Sequence, residues 1–177
     1  MTREIIISGF GGQGIVSSGI ILAYAGLLEN KHVTFFPSYG AEMRGGTANC
    51  SVVISSEPIA SPVVANPDIV LVMNEPSLLK FEPLLKPMGL LFFNRTLIQS
   101  KPKRNDVEII PVDANALAEE LGTGRIANMV MLGSLVKKTG LLLLEALFKA
   151  QRKRFGRATE AQLKLNEQAL KKGYEII

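Results

Sequence analysis

Apolar and polar positions run along this chain in blocks whose period changes. EIIIS at 4–8 is a short apolar run, the glycine-rich stretch GFGGQG follows it, and Ile15, Val16, Ile20, Ala23 and Leu27 then recur at helical spacing. The pattern predicts a buried strand, a loop, and a helix that begins at Gly12 or Gln13 and packs those positions on a sheet. HVTFFP at 32–37 predicts a second strand ended by Pro37, and TANCSVVISS at 47–56 a third. Pro58, Pro62 and Pro67 break the chain before DIVLVM at 68–73, a strand of central type. PSLLKFEPLL at 76–85 predicts a helix with Pro76 suited to its first turn, and MGLLFFN (88–94) and VEIIPVD (107–113) predict two more strands. From Ala114 onward the period is helical, over 114–121, 125–138, 142–153 and 159–172, punctuated by Gly122, Gly124, Gly140 and Gly156.

Strands that alternate with helices predict an α/β fold. The expectation is a Rossmann-like three-layer domain with a mostly parallel sheet and a helical C-terminal region from about 114, in a single domain over 1–177. No helix separates strand two from strand three, so strand three is expected to be the antiparallel or displaced member.

Composition narrows this picture. Apolar residues make up 47% of the chain and charged residues 20%. Strands buried on both faces explain part of that excess, and a face covered by another subunit would explain more. The longest apolar stretch, LLLLEALF at 141–148, is too short and interrupted to span a bilayer, and the N-terminus reads as strand and glycine loop rather than signal peptide. A cytoplasmic protein with no membrane partner is expected. With one cysteine, Cys50, and one histidine, His32, the chain cannot build an iron–sulfur cluster, a Cys/His zinc site or an internal disulfide. Redox chemistry must then come from a bound cofactor or a partner. Net charge is +4, concentrated at Lys149, Arg152, Lys153, Arg154, Arg157, Lys164, Lys171 and Lys172 against Glu160 and Glu167. This run reads as a solvated helix face, with an acidic partner or nucleic acid as the alternative; no nucleic-acid partner is expected.

Two stretches carry candidate chemistry. Gly9, Gly11 and Gly14 have dinucleotide-fingerprint spacing between a strand and a helix. In that reading Gly9 permits the tight turn, Gly11 lets a ligand approach, Gly14 lets the helix sit against the strand, and first-turn amides favour an anion. The acid that should hold ribose hydroxyls at the end of strand two is missing: the chain reads Phe36-Pro37-Ser38-Tyr39 there. The loop therefore has three readings: a cradle for another phosphate-bearing group or part of a shared cofactor, a turn that only packs, or a nicotinamide site. In SYGAEMRGG, Arg44 ahead of Gly45 and Gly46 suits a phosphate or carboxylate, unless it pairs with Glu42. Parallel-sheet geometry predicts that this turn and the Gly9 loop share one rim. His32 reads as a strand-end histidine and Cys50 as a small buried residue; no nucleophile–base set is evident.

GFGGQG near the start, PSYGAEMRGG, NPDIVLVMNEPSL at 66–78 and NMVMLGSLVKKTG at 128–140 together resemble the gamma subunit of the 2-oxoacid:ferredoxin oxidoreductases, in that family's order. EALFKAQRKRFG (145–156) is similar to its closing region. The resemblance implies an enzyme that decarboxylates a 2-oxoacid on thiamine diphosphate, forms the acyl-coenzyme A thioester and passes electrons through iron–sulfur clusters to ferredoxin. It implies alpha and beta subunits and a ferredoxin-like subunit as partners, with thiamine diphosphate and iron–sulfur clusters held by those partners. The gamma chain would hold no cofactor alone, have no catalytic or metal-binding residues, be inactive in isolation and lie near the entry for coenzyme A. The implied contact positions are Gly9, Gly11, Gly12 and Gly14 in the loop, Tyr39, Glu42, Arg44, Gly45 and Gly46 in the turn, and Asn128. Chain length and the PSYGAEMRGG form look most like the 2-oxoglutarate synthases, with branched-chain oxoacid and pyruvate enzymes as alternatives. A free-standing Rossmann-like nucleotide-binding module or a structural interaction module is the competing reading.

Overall fold

The computed structural model describes residues 1–38 and 47–177. Among the described residues six strands form one sheet: β1 (Thr2–Phe10), β2 (His32–Ser38), β3 (Thr47–Ser55), β4 (Ile69–Val72), β5 (Leu90–Asn94) and β6 (Glu108–Val112). Their spatial order is β2-β3-β1-β4-β5-β6. β3 runs antiparallel to both β1 and β2, while β1, β4, β5 and β6 pair in parallel. The displaced strand is therefore the one expected from its missing crossover helix. Both edge strands carry a proline, Pro37 in β2 and Pro111 in β6, where a missing N–H need not break a ladder. Pro37 does not end β2, which continues through Ser38.

Six α-helices among the described residues cover the sheet: α1 (Ile15–Leu28), α2 (Glu75–Phe81), α3 (Ala114–Glu120), α4 (Ala127–Thr139), α5 (Leu144–Arg154) and α6 (Glu160–Glu175). α2 stops earlier than its apolar pattern suggests, because Pro83 removes a helical N–H and the chain tightens into a 3-10 turn over Glu82–Leu84. Ile5, Ile7, Val52, Ile54, Leu71 and Phe92 face the layer that includes α1 and α4. Ile6, Val70, Val72, Leu91 and Phe93 face Leu78 and Phe81 of α2 and Ile98. The helix that follows β1 thus lies on one face and the helix that follows β4 on the other. Neighbouring parallel strands with diverging helices make a topological switch point, the usual ligand crevice of open α/β sheets.

The α1 face differs from the expected one. Ile15, Ser18, Gly19, Ile21, Leu22, Ala25 and Gly26 are buried, whereas Leu27 is 55% exposed. α1 is apolar nearly all round, so small residues rather than apolar ones mark its contact. A Cβ on Gly19 would lie 2.6 Å from the Cys50 Sγ, and one on Gly26 2.7 Å from a methyl carbon of Val33. These two glycines, not Gly14, let the helix approach the strands.

Candidate site at the switch point

The loop after β1 is longer than its sequence suggests, and α1 begins at Ile15. Gly12 and Gly14 hold φ of 94° and 75°, left-handed values that block an earlier helix start and that side chains rarely adopt. Gln13 folds back: its Oε1 accepts from the Phe10 N–H at 2.6 Å and its Nε2 donates to the Met73 carbonyl at 3.2 Å. Gly9 lies beneath it, where a Cβ would come within 2.8 Å of Gln13, Ile15 and Met73. Gly14 caps α1 without a side-chain hydrogen bond, and no acid stands in the first turn. That leaves first-turn amides and the positive helix end available to an anion.

Asn128, in the first turn of α4, joins this loop from 114 residues away: its Nδ2 donates to the Gly14 carbonyl at 3.3 Å and to Ser18 Oγ at 3.0 Å. A Cβ on Gly14 would sit 2.5 Å from that nitrogen. Gly14 therefore makes room for Asn128, not for a strand.

Gly9, Gly11, Gly12, Gly14 and Asn128 are thus brought together. Tyr39, Glu42, Arg44, Gly45 and Gly46 lie outside the described residues. The flanks of that turn are placed: Thr47 pairs with Phe10 and Ser38 with Asn49, at the same end of the sheet as the glycine loop.

Two hollows flank the loop. The larger, about 460 Å³, lies at the switch point between Gly12, Gln13 and Met73 on one side and residues of α3, the following 3-10 turn and α4 on the other. Asn94, fully buried at the end of β5, donates its Nδ2 to Asn115 Oδ1 at 2.7 Å, which leaves the Asn115 amide hydrogens turned the other way. Those hydrogens, the Glu119 carboxylate and the exposed Arg125 line the crevice with loop atoms of Gly12 and Gln13. Gly124 keeps this wall open, since a Cβ there would lie 2.5 Å from Glu119 Oε1 and 3.1 Å from Asn115 Nδ2. Among the described residues Arg125 has no acidic partner within salt-bridge range. The smaller hollow, about 310 Å³, lies between Phe10, Gly11, Ser17 and Ala48. Arg154 reaches its edge by donating to Ser17 Oγ at 3.2 Å.

Sequence reasoning missed Asn115, Glu119 and Arg125. They sit on α3 and the 3-10 turn after it, a hundred residues from the loop, and only the punctuation by Gly122 and Gly124 marked the turn that carries Arg125. The absent ribose acid also has a geometric explanation. With β3 inserted between β1 and β2, the end of β2 lies two strands, about 10 Å, from β1 instead of about 5 Å. An acid there would be too far from the crevice, and the acid that lines it comes from α3. His32 opens β2 and is exposed, as expected of a strand-end histidine. Cys50 is buried in mid-strand, and burial pushes its thiol up to about 12. Among the described residues no group of three or more His, Cys, Asp and Glu is arranged to hold a metal ion, and no helix is long and apolar enough to cross a membrane.

The model of pyruvate ferredoxin/flavodoxin oxidoreductases matches residues 4–176. The chain belongs to that family. Within this oxidoreductase family its full-length likeness is to the gamma type of subunit. A keto/oxoacid ferredoxin oxidoreductase gamma subunit from Geobacter sulfurreducens PCA has 30% identity and a TM-score of 0.86, over 99% of this chain and 95% of that one. The 2-oxoglutarate synthase subunit KorC of Methanocaldococcus jannaschii is 37% identical over 99% of this chain and 94% of its own length. The ketoisovalerate oxidoreductase subunit VorA of Methanothermobacter marburgensis is 42% identical over 73% of this chain, which spans only 27% of that relative. A 2-oxoglutarate:ferredoxin oxidoreductase from Magnetococcus marinus, solved with 2-oxoglutarate, coenzyme A and succinyl-CoA bound, has 26% identity and a TM-score of 0.89 over 99% of this chain and 31% of its own.

Proposed function

We propose that this chain is the gamma subunit of a thiamine-diphosphate-dependent 2-oxoglutarate:ferredoxin oxidoreductase, where it contacts coenzyme A. Its partners are alpha and beta subunits and a ferredoxin-like subunit, which hold the thiamine diphosphate and the clusters and pass electrons to ferredoxin. The observation that carries the site is the uncapped start of α1 behind Gly12 and Gly14, opening on the 310 Å³ hollow that Arg154 reaches through Ser17. That arrangement suits a phosphate ester, and coenzyme A brings a pyrophosphate and a phosphomonoester. Support for 2-oxoglutarate comes from the PSYGAEMRGG form of the second motif and from 37% identity to the synthase subunit, against 34% for the equally coextensive pyruvate/ketoisovalerate common subunit gamma of Thermococcus kodakarensis. In this reading Arg44 adds a charge-assisted contact from the neighbouring turn.

The test is a substrate panel on the assembled enzyme. Coenzyme A-dependent reduction of ferredoxin should be fastest per KM with 2-oxoglutarate, ahead of 2-oxoisovalerate and pyruvate. A preference for 2-oxoisovalerate would move the chain to the branched-chain enzymes. The chain by itself should reduce no viologen dye with any of them.

A further inference from the structure

We infer that the loop between β5 and β6 is a docking element for an acidic protein carrier, with Lys101 and Lys103 as its contact charges. The carrier is the electron-accepting ferredoxin, so this rests on the function proposed above. Surface loops are ordinarily the loosest backbone of a domain, but here four amides are held by two carboxylates. Glu75, the first residue of α2, accepts at Oε2 from the N–H of Gln99 at 3.0 Å and of Ser100 at 3.4 Å. Glu82, in the 3-10 turn that continues α2, is 5% exposed and accepts at Oε1 from the N–H groups of Lys103 and Arg104. A buried carboxylate is costly unless donors meet it, and these two amides do. Ile98 anchors the start of the loop in the apolar layer with Leu78 and Phe81 of α2. Between the two clamps stands Lys101-Pro102-Lys103. Pro102 keeps the residue before it extended, and residues two apart in an extended chain share a side. Both lysines are exposed, and Pro102 between them is half-buried. Neither has a carboxylate within salt-bridge range among the described residues, whereas Arg95 and Arg104 are paired with Asp113 and Asp106. The loop thus presents two ammonium groups on a fixed crest. Leu79, one turn beyond Glu75 on α2 and 55% exposed, adds apolar surface on that side. Hydrated ammonium groups suit a partner that comes and goes: they speed encounter with an acidic surface, while a resident subunit would have to desolvate them. They are too few for a membrane surface, which takes about four to eight basic residues.

The experiment compares two acceptors on the assembled enzyme, ferredoxin and methyl viologen, a small cationic dye that needs no basic docking surface. With Lys101→Glu and Lys103→Glu together, kcat/KM for ferredoxin should fall about tenfold or more at low ionic strength, through KM. Viologen reduction and the KM for coenzyme A should stay within about twofold, since neither uses an electrostatically steered protein encounter. At roughly 1 M salt, where the screening length is about 3 Å, wild type and variant should converge. Glu75→Ala keeps both lysines but frees the amides of Gln99 and Ser100. Removing that negative charge would by itself favour an acidic partner, so a raised ferredoxin KM in Glu75→Ala reports the clamp, and a lowered one would overturn the fixed crest. An unchanged ferredoxin KM in the Lys101→Glu, Lys103→Glu enzyme at low ionic strength would overturn the inference, as would an equal loss with viologen. A raised KM for coenzyme A alone would also overturn it, by giving the lysines to that ligand. Ferredoxin reduction that the variants leave at the wild-type rate sinks the docking loop and leaves the proposed function standing. A wild-type enzyme that reduces viologen but not ferredoxin overturns both.

Discussion

At Gly14 a side chain has nowhere to go. Its φ is 75°, and the place of a Cβ is 2.5 Å from the amide nitrogen of Asn128. Gly14→Ala should therefore cost roughly 1–3 kcal/mol, as a residue forced into a sparse backbone region does, and lower the urea midpoint; an unchanged midpoint would mean that α4 does not lock the loop. Arg44 belongs to the same rim in the proposed reading. Arg44→Ala should weaken coenzyme A about ten- to a hundredfold, the equivalent of roughly 1.5–3 kcal/mol, and leave the decarboxylation step largely intact. If Arg44 instead only pairs with Glu42, Glu42→Gln should do comparable damage and both should lower the stability of the complex. Cys50 tests burial. Its thiol is raised from 9.0 to about 12 by burial, so the folded protein holds a proton that the unfolded chain releases. Its contribution to stability is complete below about pH 9 and is lost as pH rises toward 12. Thiol reagents at pH 8 should label Cys50 only after unfolding, and labelling of native protein at the unfolded rate would refute its burial.

Among the elements, α4 and α6 approach most closely. A Cβ on Gly173 would lie 1.9 Å from the Val130 carbonyl oxygen, and one on Gly133 2.0 Å from that of Leu170; Ser134 Oγ bridges the two helices by donating to the Gly173 carbonyl at 3.0 Å. Gly173→Ala must push backbone from backbone, and a loss of at least about 2 kcal/mol is expected, seen as a drop in thermal midpoint. A melting curve matching wild type would contradict that packing. The elements differed in how far their sequences revealed them. β4 and β5 were legible because strands buried on both faces are continuous apolar runs, and β3 because a missing crossover helix leaves it only an antiparallel place. The buried face of α1 was not legible, since apolar side chains surround the helix and its contact is made by Gly19 and Gly26. The C-terminal helices were visible, but the role of their glycines was not: periodicity reports which face is apolar, not how near two backbones come. In the site, the loop and Asn128 were legible from motifs, while Asn115, Glu119 and Arg125 needed the fold to bring α3 and its turn to the end of β1.

At the scale of the whole molecule, the C-terminal charge is largely engaged internally. Arg152 binds Glu160 and Glu167, Lys172 binds Glu120, and Lys153 stacks 4.6 Å from the Tyr24 ring centroid. A basic run with such partners is helix–helix glue and solvated face, and the proposed reading puts the anion contact at the glycine loop instead. The proposed subunit role joins that loop to electron-transfer chemistry carried elsewhere in the complex. The most direct measurement is reconstitution: coenzyme A-dependent reduction of ferredoxin with 2-oxoglutarate by the companion subunits, titrated with this chain. Turnover should be absent without the chain, absent for the chain alone, and should rise to a plateau as the companions become saturated with it. Full coenzyme A-dependent turnover by the companions without this chain would contradict the proposed role.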